Sequence, residues 1–259
     1  MIALLSIWTW LEIALVTVGG FFVQAALLVV TLPFDPGRRV AGRWLRLMAV
    51  GASTLTPLWR FRLHGALPPR PARKTVVVSN HESHADVFLI SRLPWEMKWL
   101  AKSALFAVPF LGWCLWLAGD VAVKRGATRS ARDAMARCAG WLARGVPVAI
   151  FPEGTRSMTD ELLPFKDGAF RLAIETGADV LPVAVSGTRR ALPKHSWKFG
   201  TARALVGVGT ALRTEGMTMD DVARLKAEAR AQILALRAEL ARALAAEEGA
   251  AAVAERGSA

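Results

Sequence analysis

Cysteine is almost absent: Cys114 and Cys138 are the only two in 259 residues. Two thiols, one of them inside the apolar run 110–116, match neither a disulfide framework nor a cysteine-based zinc site. Both are read as buried thiols of a reducing compartment. Histidine is scarce as well, at His64, His81, His84 and His195. The zinc-protease pattern His-Glu-x-x-His fails after His81-Glu82, because position 85 is alanine. The chain also lacks a Gly-x-Ser-x-Gly elbow and a phosphate-binding P-loop, and Gly207-Val-Gly209 has no third glycine to complete a dinucleotide fingerprint. Acidic residues are few, 21 against 33 Lys and Arg, which leaves a formal charge of +12 and a pI of about 10.9. No zinc finger, RNP signature or basic-zipper heptad carries that charge, so nucleic acid is not an expected partner.

Apolar residues are plentiful. They make up 53% of the chain, with a mean hydropathy of +0.33, which excludes disorder over most of the length and supplies a core for one domain, at most two. From Met1 to Leu32 the only ionisable side chain is Glu12. One straight helix of this length would run roughly 48 Å, against a hydrocarbon core of about 30 Å. Gly19-Gly20 offers a break, so either one tilted helix crosses a bilayer or two shorter helices dip into one leaflet. There is no basic region before the apolar stretch, as a cleaved signal peptide would have. Residues 34–74 then bring nine basic residues, from Arg38 to Lys74, against Asp35 alone, a local balance of +8. Basic charge directly after an apolar anchor predicts contact with anionic lipid and a cytoplasmic location for the domain that comes after it.

Residues 1–66 are accordingly read as anchor and basic juxtamembrane segment, 67–216 as an α/β domain, and 217–259 as a C-terminal helix and mobile tail. Pro68-Pro69-Arg70-Pro71 marks the first boundary. Short β-branched runs recur at 75–79, 98–101, 120–123, 146–151, 180–185 and 203–208. Helix-like stretches alternate with them at 86–93, 103–118, 130–143 and 168–176, the last two ending at Gly145 and Gly177. This alternation predicts a largely parallel sheet flanked by helices, with a site at the carboxyl ends of the strands. Thr218-Met-Asp-Asp221 reads as a capping signal for a helix to about Ala246.

The residues with chemical capacity come directly after those runs. His81 and Asp86 are five apart, so in one helix they would diverge by about 140°. Across a turn the carboxylate can reach Nδ1 and leave Nε2 free to take a proton from a hydroxyl. The same Ser83-His-Ala-Asp86 also has capping-box spacing, in which the aspartate merely starts a helix. After the strand at 146–151 come Glu153-Gly154-Thr155-Arg156. Arg156 can hold a phosphate through two hydrogen bonds, Thr155 and backbone amides can add donors, and Glu153 can orient the arginine or a substrate hydroxyl. Lys102 and Arg125 end other strands and would make the pocket positive.

Together these residues resemble the glycerolipid acyltransferase family, most closely the bacterial 1-acyl-sn-glycerol-3-phosphate acyltransferases, over roughly residues 75–190. Asn80-His81-x4-Asp86, Gly119 to Arg125, Phe151-Pro-Glu-Gly-Thr-Arg156-Ser157 and Leu181-Pro182-Val183 match that family's four motifs in order and spacing. Ala85, Ala122 and Lys124 depart from the usual pattern, at positions that bear on acceptor choice more than on reaction type. The resemblance implies transfer of a fatty acyl group from acyl-CoA or acyl-carrier-protein to the sn-2 hydroxyl of lysophosphatidic acid, giving phosphatidic acid. Glycerol-3-phosphate or a lyso-aminolipid is the alternative acceptor, and a non-catalytic membrane-surface protein the alternative class. It further implies His81 as general base, Asp86 as its orienting partner, Arg156 with Glu153, Gly154, Thr155, Arg125 and Lys102 around the phosphate, and no metal or redox cofactor. The expected location is the inner (cytoplasmic) membrane, with the catalytic domain facing the cytoplasm.

Overall fold

A computed structural model describes residues 1–66, 68–193 and 196–257. His195 and the end of the expected tail, 258–259, lie outside the described residues. Seven strands form one sheet in the order β1-β7-β6-β2-β5-β3-β4. They are β1 (Trp59–Leu63), β2 (Thr75–Ser79), β3 (Lys98–Lys102), β4 (Val121–Val123), β5 (Val148–Ile150), β6 (Asp179–Ser186) and β7 (Ala202–Val208). Every neighbouring pair is parallel except β6 with β7. The expected largely parallel α/β sheet is therefore present, with one antiparallel junction.

Period-two alternation sorts the sheet's side chains. Val76 and Val78 enter a core closed by α5 (Thr128–Ala143), α6 (Gly168–Thr176) and α7 (Val222–Gly257), while Val77 between them enters the core on the other face. That second face is covered by α3 (Asp86–Ile90) and by α1 (Ile2–Thr31), which contributes Leu5 and Ile13. A smaller cluster joins α1, α2 (Arg39–Leu55) and α4 (Leu111–Ala118) through Leu45, Met48, Cys114 and Leu115. Both cysteines are buried and unpaired. Burial pushes the Cys114 thiol up to about 11 and that of Cys138 up to about 12.

Several local expectations are revised. The apolar N-terminus is one unbroken helix, α1, rather than two pieces hinged at Gly19-Gly20. Gly20 serves close approach instead: a Cβ there would meet the Met48 side chain, and Trp44 Nε1 donates to its carbonyl at 2.9 Å. The partner of α1 in the hairpin is thus α2, built from the basic segment. That segment does not all face outward. Arg46 is buried and donates to both oxygens of Asp120, at 2.5 and 2.7 Å, while Arg43 donates to the Leu93 carbonyl at 2.7 Å.

The boundary at residue 67 likewise falls inside the sheet's reach, because β1 precedes it. Trp59 and Phe61 alternate inward with Arg60 and Arg62 outward, and the strand pairs with β7. The helix expected over 103–118 is divided. Ser103–Ala107 forms a 3-10 turn, Pro109 has no N–H to continue it, and Phe110 takes a positive φ of 59° before α4 begins. The capping box of Thr218 and Asp221 is made, but α7 continues to Gly257 rather than ending near Ala246.

Among the described residues α1 is the one helix long and apolar enough to cross a membrane. Its sidedness is inverted relative to a water-soluble helix. The buried residues include Ser6, Thr9, Glu12, Gln24 and Thr31, whereas Leu4, Leu15, Phe22, Val29 and Val30 are exposed. Three of these bond the body: Ser6 accepts the Phe199 amide, Thr9 pairs with Thr56, and Gln24 donates to Ala41 and Cys114 carbonyls. Such an arrangement suits an apolar medium outside.

Candidate active site

The chain leaves β2 at Ser79, passes through Asn80 and His81, and starts α3 at Asp86. Asn80 holds the start of this loop, its amide exchanging hydrogen bonds with the Val185 backbone at 2.9 and 3.0 Å. The loop folds back so that His81 Nδ1 lies 2.7 Å from Asp86 Oδ2. The same oxygen accepts the amides of Glu82 at 2.7 Å and Ser83 at 3.0 Å. Orienting the imidazole and starting the helix are therefore not competing readings, since one carboxylate does both. Its other oxygen, Oδ1, accepts from the Thr188 hydroxyl. Asp86 is fully buried and His81 is 6% exposed. Phe151 stacks on the imidazole with centroids 4.0 Å apart and planes 14° from parallel, fixing the ring from its face. Among the described residues His81 Nε2 has no hydrogen-bond partner. A histidine held at Nδ1 and open at Nε2 can accept a proton there.

The second loop leaves β5, the strand beside β2, at the same edge. Glu153 is buried, and both its oxygens are taken by backbone amides, Oε1 by His81 at 2.8 Å and Oε2 by Leu163 at 3.0 Å. Burial raises its carboxyl above the ordinary range while those amides pull it down. The expectation that Glu153 orients Arg156 or a substrate hydroxyl is thus revised: it ties the loop of β5 to the loop of β2. Ser157 completes the tie by donating its amide to the His81 carbonyl at 2.8 Å. Gly154 turns the loop at φ 69°, Thr155 is exposed, and Arg156 is partly buried.

Arg156, Arg125, His84, His81 and Asp86 form one electrostatic group. Burial draws the Arg156 guanidinium below its ordinary value, with Asp86 acting against it and Arg125 with it. His84 has an exposed edge, yet desolvation by the loop around it, then Arg156 and His81, push it down to about 4, so it is neutral at pH 7. Lys102 ends β3, exposed, in register with Val123 of β4, two residues before Arg125. The site therefore gathers His81, Asp86, Arg156 and Arg125, uses Glu153 beneath them, and has Lys102 at the end of the neighbouring strand. Among the described residues no group of His, Cys, Asp and Glu is arranged to hold a metal ion.

Three contributors are invisible to local sequence reading. Thr188 comes from the turn after β6, Phe151 acts through its ring face, and Arg237 of α7 pairs with Glu82 at 3.0 Å and donates to the Asp160 carbonyl at 2.9 Å. Glu82 and Arg237 are 155 positions apart. No spacing rule reaches that far.

An α/β sheet with a paired His and Asp at its carboxyl edge, flanked by arginines, makes a general-base site suited to an anionic substrate. Residues 60–186 match the family described as Acyltransferase. The human 1-acyl-sn-glycerol-3-phosphate acyltransferase alpha is 32% identical over 225 residues, covering 86% of this chain and 79% of that protein. The enzyme of that name from Chlamydomonas reinhardtii is 34% identical over 67% of this chain and 52% of its own length. The chloroplastic one from Arabidopsis thaliana is 36% identical over 64% of this chain and 46% of its own length. The chain thus spans about half the length of these last two curated relatives. The 1-acyl-sn-glycerophosphate acyltransferase PlsC of Thermotoga maritima has the same fold, with a TM-score of 0.65, 24% identity and coverage of 90% of this chain and 97% of that one. The chain belongs to the acyltransferase family that contains these proteins.

Proposed function

We propose that the protein transfers a fatty acyl group from an acyl thioester, acyl-CoA or acyl-carrier-protein, to the sn-2 hydroxyl of lysophosphatidic acid, forming phosphatidic acid. The observation that carries this reading is the 2.7 Å contact of His81 Nδ1 with buried Asp86, which leaves Nε2 as the free base. His81 Nε2 takes the hydroxyl proton, the oxygen attacks the thioester carbonyl, the C–S bond breaks, and the imidazolium returns the proton to the departing sulfur. Asp86 holds the tautomer that this requires and stabilises the imidazolium. Arg156 and Arg125 supply the positive field for the acceptor's phosphate, and neutral His84 beside them adds no third cation.

Membrane attachment through α1 fits an acceptor that resides in a bilayer, and its apolar outer face supports it. Because α1 packs against the body along its length, attachment within one leaflet accounts for the contacts better than a crossing does. The reading extends to the cytoplasmic face of the inner membrane and to anionic lipid beside the basic segment.

The test is acyl transfer to lysophosphatidic acid by the purified, detergent-solubilised protein, with acyl-CoA and acyl-carrier-protein offered separately and His81→Ala as control. Phosphatidic acid formed only by the wild type supports reaction, acceptor and base together. Product from glycerol-3-phosphate or a lyso-aminolipid, but not from lysophosphatidic acid, would reassign the acceptor. Arg156→Ala should raise the KM for a phosphate-bearing acceptor by about tenfold or more, as loss of a charge-assisted contact requires.

A further inference from the structure

Leu27 of α1, Val40, Trp44 and Leu47 of α2, and Pro94 and Trp95 ahead of β3 wall an open groove of about 420 Å3. Arg39, Arg43 and Arg70 stand in the same wall, together with Glu96. This is a different place from the candidate active site. Residues 94–96 lead into the start of β3, whereas His81 and Arg156 follow the far ends of strands in the same parallel array. Five residues of strand separate the two edges by roughly 17 Å.

The positive charges of the groove are only partly cancelled from within. Glu96 is engaged by Lys98 Nζ at 3.1 Å and lies 3.7 Å from Arg46 Nε. Asp35 accepts the Val40 amide at 2.8 Å and is only 3.8 Å from Arg39 Nη1. Arg39 donates from Nη2 to the Arg144 carbonyl at 2.6 Å, and among the described residues its buried Nε has no partner. Arg43 donates from Nη1 to Leu93. Among the described residues the exposed Arg70 makes no side-chain hydrogen bond or ion pair. Trp95 is 3% exposed, and among the described residues its buried indole N–H has no acceptor.

Beyond the cationic end the surface turns apolar, with Val29, Val30, Leu32 and Phe34 exposed at the end of α1. An inorganic phosphate would meet the guanidiniums and leave those walls unused; a lipid meets both. We infer that the groove holds one anionic glycerophospholipid, its phosphate among Arg39, Arg43 and Arg70 and an acyl chain along Leu27, Val40 and Leu47 toward the exposed end of α1. This rests on the membrane reading of α1 given above and assigns it a lipid class and an address. Such a lipid holds the amino edge of the sheet at headgroup level, at the opposite end of the domain from His81.

The test is flotation of the full chain with vesicles of phosphatidylcholine alone, or with about a quarter phosphatidylglycerol. Arg39→Gln with Arg70→Gln should weaken binding to the anionic vesicles by about tenfold or more and leave binding to neutral vesicles unchanged. A control pair, Arg129→Gln with Arg132→Gln, exposed on α5 over the other face of the sheet, should change it by less than about threefold. Equal losses for the two pairs mean diffuse attraction and overturn the groove, as does an unchanged anionic preference in the first pair. Val40→Trp fills the groove without altering charge. Native mass spectrometry should then show loss of the phosphatidylglycerol that the wild type carries out of detergent, and its retention overturns the inference. A wild type that ignores neutral vesicles yet keeps this lipid through Arg39 and Arg70 upholds the groove and refutes the membrane role of α1. Neutral binding without anionic preference does the reverse.

Discussion

Thr188 donates its hydroxyl hydrogen to Asp86 Oδ1 from 102 positions further along the chain. Gly187 makes this possible. It takes φ 94°, and a Cβ there would meet the Arg203 carbonyl, so the turn after β6 needs glycine both for its backbone and for its closeness to β7. Replacing Thr188 by Val keeps the shape and removes the donor. The buried oxygen is then unsatisfied, at a cost of about 1–3 kcal/mol in a urea titration. Acyl transfer should lose kcat while KM holds, because Thr188 is fully buried behind Asp86; a change in KM alone would argue against a positioning role.

Asp86→Asn is expected to lower turnover by roughly 10² to 10⁴ with the fold intact by circular dichroism. The amide cannot accept at both of the positions that His81 Nδ1 and Thr188 now occupy, so the imidazole loses its fixed tautomer. Wild-type turnover in this variant would refute the base assignment.

Two groups beside His81 titrate in opposing directions. Burial, then Asp86, pushes the Glu82 carboxyl up to about 7 from an ordinary 4.5. The folded state therefore binds the extra proton, and stability falls as pH rises from about 4.5 to about 7, by up to about 3 kcal/mol. His84 has the reverse effect. Its folded value of about 4 lies below the ordinary 6.5, so the unfolded state binds the extra proton and stability falls as pH drops from about 6.5 to about 4. Glu82→Gln should leave a stability curve that rises across pH 4 to 6.5, and His84→Gln one that declines across pH 4.5 to 7. Denaturant titrations at several pH values check both, and curves parallel to the wild type would contradict the assigned shifts.

Arg46 and Asp120 are buried together, and Asp120 Oδ1 also accepts the Trp99 amide at 2.9 Å. Asp120→Ala leaves the buried Arg46 guanidinium with only the 3.7 Å contact to Glu96, and should cost about 3–5 kcal/mol. Arg46→Met combined with Asp120→Leu should recover much of that loss. Chemical denaturation of the single and double variants measures the difference, and equal losses would mean that the pair is not coupled.

Much of the architecture was legible locally because its causes are local. Alternating valines mark β2, Gly177 stops α6 in the left-handed region where a side chain is disfavoured, and Thr218 with Asp221 caps the entry to α7. β1 was hidden because Arg60 and Arg62 alternate through Trp59 to Leu63, and only the edge of β7 makes these two outward charges compatible with a strand. Arg46 read as a lipid-facing cation because its partners, Asp120 and Glu96, are far off in sequence.

The candidate site divides the same way. The His81–Asp86 pair, and the arginine following β5, were determined by the sequence alone, since a five-residue loop and a strand-turn need only neighbouring residues. The tertiary structure decided the rest: Glu153 as a tie to the His81 amide rather than a ligand of substrate, Thr188 and Phe151 as the walls of the base, and Arg237 as the link from α7. These contacts join positions 70 to 155 residues apart. Only packing of the finished sheet and its helices brings such pairs within hydrogen-bond reach, so no local pattern could announce them.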